Sequence, residues 1–153
     1  GLKYVIVAST RGGTGIKAAE AFRGMGLEAI VVTHAAAPEY TAENRRKLEE
    51  SWVKLLVSGH TLSQGIGDSM RSKYSGWDIQ RVAAETLRRF CEGMKVSVEI
   101  TMMAANSGLV PEGEEVMAIA GTGSGADTAI ILTAVRSNRF LDMKIKEIVA
   151  MPS

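Results

Sequence analysis

Short, almost continuous apolar runs alternate along the first part of the chain with stretches whose apolar residues recur every three or four positions. Runs over residues 3–8, 29–33 and 53–57 are rich in β-branched side chains, which is typical of strands buried on both faces of a parallel sheet. The spacing over 14–26 and 41–50 predicts two connecting helices. We therefore expect this part of the chain to form strands joined by helices.

The pattern is less regular in the middle of the chain. Asp78 has the position of a helix N-cap, and the apolar spacing after it predicts a helix ending near Gly93. Polar and apolar residues alternate in part from Lys95 to Met103, which predicts a fourth strand. Residues 115–120 predict a fifth strand. No element is predicted over 62–76, because glycines there weaken a helix.

The last part of the chain holds two further apolar segments. Residues 128–135 lack a polar face, so a buried helix and a strand are both open, and their β-branched residues favour the strand. Residues 144–151 predict a last strand, at an edge or in antiparallel pairing. We therefore predict one domain, residues 1–153, of the α/β class: a three-layer α/β/α sandwich with a mainly parallel sheet and one or more antiparallel strands near the C-terminus.

Composition and charge exclude several classes of function. The chain has 153 residues, a formal net charge of +1 and 5% aromatic residues, so neither the basic surface nor the stacking side chains of a nucleic-acid-binding protein are expected. No apolar run reaches membrane-spanning length, and no signal peptide is visible. A single cysteine excludes an intrachain disulfide and fits a reducing compartment. We expect a cytoplasmic protein that binds neither nucleic acid nor membrane.

The strongest candidate for a binding site is the loop after the first predicted strand. Its sequence is Ser9-Thr10-Arg11-Gly12-Gly13-Thr14, and a helical pattern begins directly behind it. Glycines let the backbone approach a ligand, the first N–H groups of a helix attract anions, and Arg11 adds a charge-assisted contact. The loop therefore predicts a phosphate site, with an ordinary tight turn as the alternative. It lacks the Lys-Ser/Thr pair of a Walker A loop and the spacing of a Rossmann fingerprint.

A second glycine-rich loop follows the predicted strand 115–120. It matches the pattern G-x-G-x-x-A, and its residues include Gly121, Thr122, Gly123, Ser124 and Ala126. A dinucleotide fingerprint requires a helix directly afterwards and an acidic residue further on, and neither is predicted here. We interpret this loop as a glycine-lined wall of a ligand cleft, with a surface hairpin as the alternative.

Two histidines follow predicted strands at their carboxyl ends, where ligands bind in open α/β sheets. Thr33-His34 and Gly59-His60 are therefore candidate contacts, and either imidazole is suited to acid–base chemistry near neutral pH. A histidine bonded locally in its loop is the alternative for each. No third ligand accompanies them, so no metal site is predicted. Cys91 is interpreted as a core side chain near the end of a helix, and no catalytic residue is assigned.

Residues 4–33 carry a resemblance to a known family. A strand, the loop Ser9–Thr14, a helix and a second strand ending in Thr33 resemble the C-terminal domain of pyruvate kinase, whose corresponding loop cradles a sugar phosphate. The whole chain is similar to stand-alone proteins with the pyruvate kinase C-terminal-domain-like fold. Gly13 stands where the family loop often has an arginine, and this sequence contains no catalytic barrel, so the regulatory role of the kinase domain does not simply carry over.

The resemblance implies flavin mononucleotide (FMN) as the ligand, because FMN binding is known in that group. The phosphate would lie at Ser9–Thr14, and the flavin ring against Thr33-His34, Gly59-His60 and Gly121–Ser124. A flavin-dependent redox role is one expectation, and whether the chain is an enzyme stays undecided. The alternative is a non-catalytic sensor of a sugar phosphate or another phosphorylated metabolite. A homo-oligomer also stays open.

Overall fold

A sheet of six strands forms the centre of the part of the chain that the computed structural model describes, residues 1–34, 41–63, 65–76 and 78–153. In chain order the strands are β1 (Tyr4–Ala8), β2 (Glu28–His34), β3 (Lys54–Ser58), β4 (Glu115–Ala120), β5 (Thr128–Thr133) and β6 (Ile145–Ala150). Their order across the sheet is β3-β2-β1-β4-β5-β6. The first four pair in parallel, whereas β5 and β6 pair antiparallel. The sheet is therefore mixed, and its antiparallel strands come last in the chain, as predicted.

In the described ranges, five α-helices and one 3₁₀-helix connect these strands. They are α1 (Gly13–Ala21), α2 (Ala42–Glu49), α3 (Ile66–Tyr74), α4 (Ile79–Leu87), α5 (Glu92–Asn106) and the 3₁₀-helix Ser137–Asp142. None of the helices described here has the length and apolar character to cross a lipid bilayer. Both expected N-caps are present: Thr41 accepts from the Asn44 N–H at 3.2 Å, and Asp78 accepts from the Arg81 N–H at 2.7 Å.

Side chains of the sheet alternate between two cores, because successive strand residues point to opposite faces. In β1, Val5 and Val7 pack with residues of α1 and α2, whereas Ile6 packs with residues of α5. Helices therefore lie on both faces of the sheet, with α1 and α2 on one and α5 on the other. This arrangement confirms the predicted α/β class and explains why the first strands are apolar almost without interruption.

The strand predicted from Lys95 to Met103 is wrong, because these residues form the middle of α5. The polar residues that suggested alternation are all buried; they are Lys95, Ser97, Glu99 and Thr101. Alternation therefore did not separate a solvent face from a core face. A helix that is buried nearly all round also has no apolar stripe, so its periodicity does not distinguish it from a strand.

Several helices begin or end at positions that differ from the predicted ones. α3 forms where no element was predicted: Gly65, with φ of +98°, precedes the helix at the N-cap position, and Gly67 lies in its first turn. α1 ends well before Gly26. Cys91 is not at the end of α4: it caps the start of α5, where its Sγ accepts from the Met94 N–H at 3.2 Å.

Gly15 sets the distance between α1 and the sheet. A Cβ at this position would lie 2.6 Å from Val31 Cγ1 and 3.3 Å from Leu48 Cδ1, so a side chain would push α1 away from β2 and α2. We expect Gly15→Ala to lower the free energy of unfolding by about 1–3 kcal/mol, the usual cost of overpacking a core. Urea denaturation measures this difference.

The matched control for this prediction is Gly13→Ala, two residues earlier in the same helix. A Cβ at Gly13 meets nothing within 4 Å, so this variant should be as stable as the wild type or slightly more stable. Wild-type stability in Gly15→Ala would contradict the close packing of α1 on β2.

Candidate functional site

The loops that follow β1 and β4 meet at one cleft. β1 and β4 are parallel neighbours, and the chain leaves β1 for β2 on one side and later returns to β4 on the other. Ligands of open α/β sheets bind at such a switch point, outside the carboxyl ends of the strands. The cleft has a volume of about 880 Å³, within the range of about 300–1,000 Å³ that is usual for small-molecule sites.

The first loop is held in shape by α2. Gly12 is the N-cap residue of α1 and has φ of +89°, a conformation that favours glycine. Asn44 Nδ2 donates to the Arg11 carbonyl at 2.7 Å, and a Cβ on Gly12 would lie 2.6 Å from Asn44 Cβ. Gly12 therefore permits the close approach of α2, and that contact fixes the backbone of the loop.

Ser9 lies behind the first loop and not in the cleft. Its side chain is buried, and its Oγ accepts from the Gly15 N–H at 2.9 Å. Gly12 has no side chain with which to cap α1. The N–H groups of Gly13 and Thr14 have no acceptor within the helix, and both residues line the cleft. The start of α1 therefore presents hydrogen-bond donors to a ligand.

The same end of the cleft carries hydroxyl and cationic side chains. Thr10 and Thr14 contribute hydroxyl groups to the lining, and Arg11 and Lys17 contribute positive charges. A helix N-terminus adds a partial positive charge of its own. Backbone donors, hydroxyl groups and cations together make this end suitable for an anion such as phosphate.

The second glycine-rich loop is the turn of the β4–β5 hairpin. Within it, the Asp127 N–H donates to the Ala120 carbonyl at 3.0 Å, and the Thr122 hydroxyl donates to Asp127 Oδ2 at 3.3 Å. β5 follows directly, so the helix that a dinucleotide fingerprint requires is not there. Gly121, Gly123 and neighbouring loop residues line the cleft. The loop is therefore both a hairpin and a wall of the cleft, which the sequence had left as alternatives.

His34 and His60 lie side by side on the cleft wall. His34 is the last residue of β2, and His60 follows the neighbouring strand β3. Their ring centroids are 4.8 Å apart, and the ring planes are tilted by 33°. Two histidines that were predicted separately from two strand ends thus form one pair at the cleft.

Behind His60 lies the buried carboxylate of Glu99, on α5. Glu99 Oε2 lies 3.0 Å from His60 Nδ1 and 2.5 Å from Lys95 Nζ. Glu99 Oε1 accepts from the Leu62 N–H at 2.7 Å and from the Ser63 hydroxyl at 3.2 Å. Lys95 is buried as well. Four partners hold one carboxylate, and they fix the loop after β3 against α5.

Glu99 is ionised in the folded protein. Burial by itself raises the pKa of a carboxyl group. The hydrogen bond with His60 and the positive charge of Lys95 outweigh that effect and lower the pKa of Glu99 to about 2. The carboxylate therefore remains an acceptor for His60 over the whole range of physiological pH.

Nine of the predicted site residues line the cleft: Thr10, Arg11, Gly13, Thr14, His34, His60, Gly121, Gly123 and Ser124. The other five do not. Ser9 and Gly12 form the inner side of the first loop, and Thr122 contacts Asp127. Gly59 is exposed outside the lining. Thr33 is buried on the sheet face opposite to His34, and its hydroxyl has no hydrogen-bond partner among the described residues.

Sequence reasoning missed three charged residues of the site. Lys17 was not among the predicted site residues, and the structure shows that it borders the cleft. Glu92 lay at the end of the helix predicted after Asp78, and Glu99 lay in the incorrectly predicted strand. The spacing of Lys95 and Glu99, four residues apart, is typical of an ion pair on one side of a helix, and it was the signal that could have revealed Glu99.

A comparison with models of known protein families gives no match. Within the described ranges, no group of three or more His, Cys, Asp or Glu side chains is arranged to hold a metal ion.

The lowered pKa of Glu99 has a consequence for acid stability. Because this pKa lies below the ordinary value of 4.5, ionisation of Glu99 stabilises the folded state. The stabilisation is complete above about pH 4.5 and is lost as the pH falls toward about 2. We expect the free energy of unfolding of the wild type to fall more steeply over this window than that of Glu99→Gln, as measured by urea denaturation. Glu99→Gln should also be less stable at neutral pH, because Lys95 loses its buried partner.

Glu49→Gln is the control for the acid-stability experiment. Glu49 pairs with Arg45 on the exposed side of α2, and exposed pairs contribute little to stability. This variant should therefore keep the acid profile of the wild type. Identical profiles for Glu99→Gln and the wild type would contradict an ionised, buried Glu99.

Proposed function

We propose that the chain binds a phosphorylated small molecule in this cleft, that the phosphate lies at the N-terminus of α1, and that the ligand is FMN. The observation that carries the proposal is the convergence of the two glycine-bearing loops on one cleft at the switch point between β1 and β4. We also propose that the chain has the pyruvate kinase C-terminal-domain-like fold, which residues 4–33 resemble.

The start of α1 supports the position of the phosphate. Gly13 and Thr14 offer backbone N–H groups, and Thr14 adds a hydroxyl. In the loops that this sequence resembles, an arginine often stands at the position of Gly13. Here Arg11 and Lys17 supply positive charge to the cleft instead. Hydrogen bonds to a charged group are roughly twice as strong as neutral ones. Ser9 contributes from behind, because its bond to Gly15 keeps the turn in shape.

The remainder of the cleft supports a flat ring system. Apolar side chains from both faces of the sheet line it; they are Val7, Ala8, Ala18, Ala21, Phe22, Val96 and Ile119. Gly121 and Gly123 bring hairpin backbone to the lining without bulky side chains, and His34 and His60 add polar atoms. A bound flavin supplies hydride and one-electron transfer chemistry. The contribution of the chain itself is to bind and orient that group.

A sugar phosphate is the alternative ligand, since a helix N-terminus binds phosphate whatever the rest of the ligand is. The protein would then be a non-catalytic sensor of a phosphorylated metabolite. The apolar lining favours FMN, because sugar hydroxyl groups buried against apolar side chains would lose their hydrogen bonds.

The test is a titration of FMN with purified protein, followed by the quenching of flavin fluorescence. The main variant is Gly13→Leu: an added Cβ meets no atom there, so the fold tolerates it, while the leucine side chain occupies the phosphate position. We expect the wild type to bind FMN and Gly13→Leu to lose at least about 100-fold in affinity, because charge-assisted hydrogen bonds are lost. Lys17→Ala should lose about fivefold, the contribution of one exposed charge.

Arg23→Ala is the charge-matched control for Lys17→Ala. Arg23 is exposed beyond the C-terminal end of α1 and outside the cleft, so this variant should bind FMN like the wild type. Riboflavin, which lacks the phosphate, should bind more weakly than FMN. Wild-type affinity in Gly13→Leu would place the phosphate elsewhere. Thermal stabilisation by sugar phosphates but not by FMN would support the sensor instead.

A further inference from the structure

The cleft continues along the side of α1, beyond the position proposed for the phosphate. The residues of α1 and its C-cap that line it recur at the spacing of one side of a helix; they are Thr14, Lys17, Ala18, Ala21 and Phe22. From Thr14 to Phe22 a helix rises about 12 Å, at about 1.5 Å per residue. This part of the cleft is therefore an elongated groove, and the length of α1 forms one of its walls.

The floor of this groove is a part of the sheet that α1 and α2 leave open. Val7 and Ile119 line the cleft and lie on the sheet face that carries these two helices. Both helices pack on β1, β2 and β3, whereas the helix that packs on β4 and β5 is α5, on the opposite face. Ile119 and Ile131 are accordingly only partly buried, although Val7 on the same face is buried. We call this floor and the lining side of α1 the α1 groove.

Contacts on the other side of α1 hold this wall in place. Trp52 Nε1 donates to the Ala19 carbonyl at 2.8 Å, and Asn44 Nδ2 donates to the Arg11 carbonyl just before the helix at 2.7 Å. Gly15 packs against Val31 and Leu48. The α1 groove is therefore preformed, and a ligand that enters it does not have to order the helix first.

The proposed position of FMN leaves the α1 groove unfilled. Of the apolar lining residues, Ala8 and Val96 pack with the core under α5, whereas Val7, Phe22 and Ile119 pack with the core under α1 and α2. The flavin ring, between the β4–β5 hairpin and the histidine pair, lies on the α5 side, and the phosphate lies at the start of α1. The apolar residues beside α1 are therefore available to a group attached to the other side of that phosphate.

The side chains of the α1 groove indicate the chemistry of that group. Lys17 lies three residues after Thr14, about 4.5 Å along the helix axis, so its ammonium group can reach a second phosphate joined to the first. Phe22 lies at the far end and offers an aromatic ring, which pairs with other flat rings. The small side chains of Ala18 and Ala21 line the space between them.

We propose that the α1 groove holds a second phosphate and an aromatic base joined to the phosphate of FMN, so that the chain binds flavin adenine dinucleotide (FAD) more tightly than FMN. The FMN part keeps its proposed position, the second phosphate lies beside Lys17, and the adenine lies against Phe22. No covalent bond forms or breaks. This subsite rests on the proposed function, because it requires the first phosphate at the start of α1. It does not need the Rossmann spacing, which the first loop lacks, since a side chain holds the second phosphate.

The first test is calorimetric titration of the wild type with FMN and with FAD. We expect FAD to bind at least about tenfold more tightly, through one additional charge-assisted contact and one aromatic contact. Equal affinities, or weaker binding of FAD, would overturn the subsite while leaving the proposed FMN binding intact. Binding of neither compound would overturn the proposed function and the subsite together.

The second test fills the α1 groove. Ala21 lines it but is exposed in the last turn of α1, so the fold tolerates Ala21→Trp. This variant should lose the preference for FAD, with the ratio of FAD to FMN affinity falling about tenfold. Met25→Trp adds the same side chain at a position that is 61% exposed and outside the cleft, and it should keep the preference. A wild-type ratio in Ala21→Trp would contradict the subsite.

The third test concerns the aromatic contact at Phe22. Phe22→Leu keeps an apolar side chain against the core under α1 but removes the ring, whereas Phe22→Tyr keeps the ring. We expect the ratio of FAD to FMN affinity to fall about fivefold in Phe22→Leu and to stay near the wild-type value in Phe22→Tyr. A general loss of stability lowers both affinities and does not change their ratio. Equal ratios in the two variants would overturn the position of the adenine at Phe22.

Discussion

The histidine wall of the cleft depends on the buried carboxylate of Glu99. It ties the loop after β3 to α5 through the Leu62 N–H and the Ser63 hydroxyl, and it orients His60 at the cleft wall. A carboxylate at this depth would be costly alone, because burial removes its hydration. Lys95, one helical turn away, compensates the charge. The ion pair therefore allows α5 to carry a carboxylate in the core, where it holds His60 and the loop after β3.

The two ends of the cleft are built in different ways. At the start of α1 the donors belong to the backbone, and glycine at position 12 lets Asn44 hold the loop from behind. At the other end the polar atoms belong to side chains that are fixed by a buried ion pair. A backbone site suits a phosphate, because helix N-terminal N–H groups point at the anion and carry a partial positive charge. Side chains held by a buried ion pair present polar atoms in a fixed orientation.

Much of the fold could be predicted because burial follows a simple period in most elements. Both faces of β1 and β2 are covered, so their sequences are apolar throughout, and the caps of α2 and α4 have the usual residues. α5 could not be predicted from hydrophobic periodicity, because its alternating polar residues are buried and do not mark a solvent face. His34 and His60 were found from the rule that ligands bind at strand ends. Ser9 and Gly12 were placed in the right loop with the wrong role, since sequence shows that a tight loop needs such residues but not which way they point.

The most direct test of the proposed binding site is a crystal structure of the protein with FMN bound. We expect the phosphate within hydrogen-bond distance of the Gly13 and Thr14 N–H groups, and the ring system between the β4–β5 hairpin and the histidine pair. A phosphate bound away from the start of α1, or a ring system that does not reach His60, would contradict it.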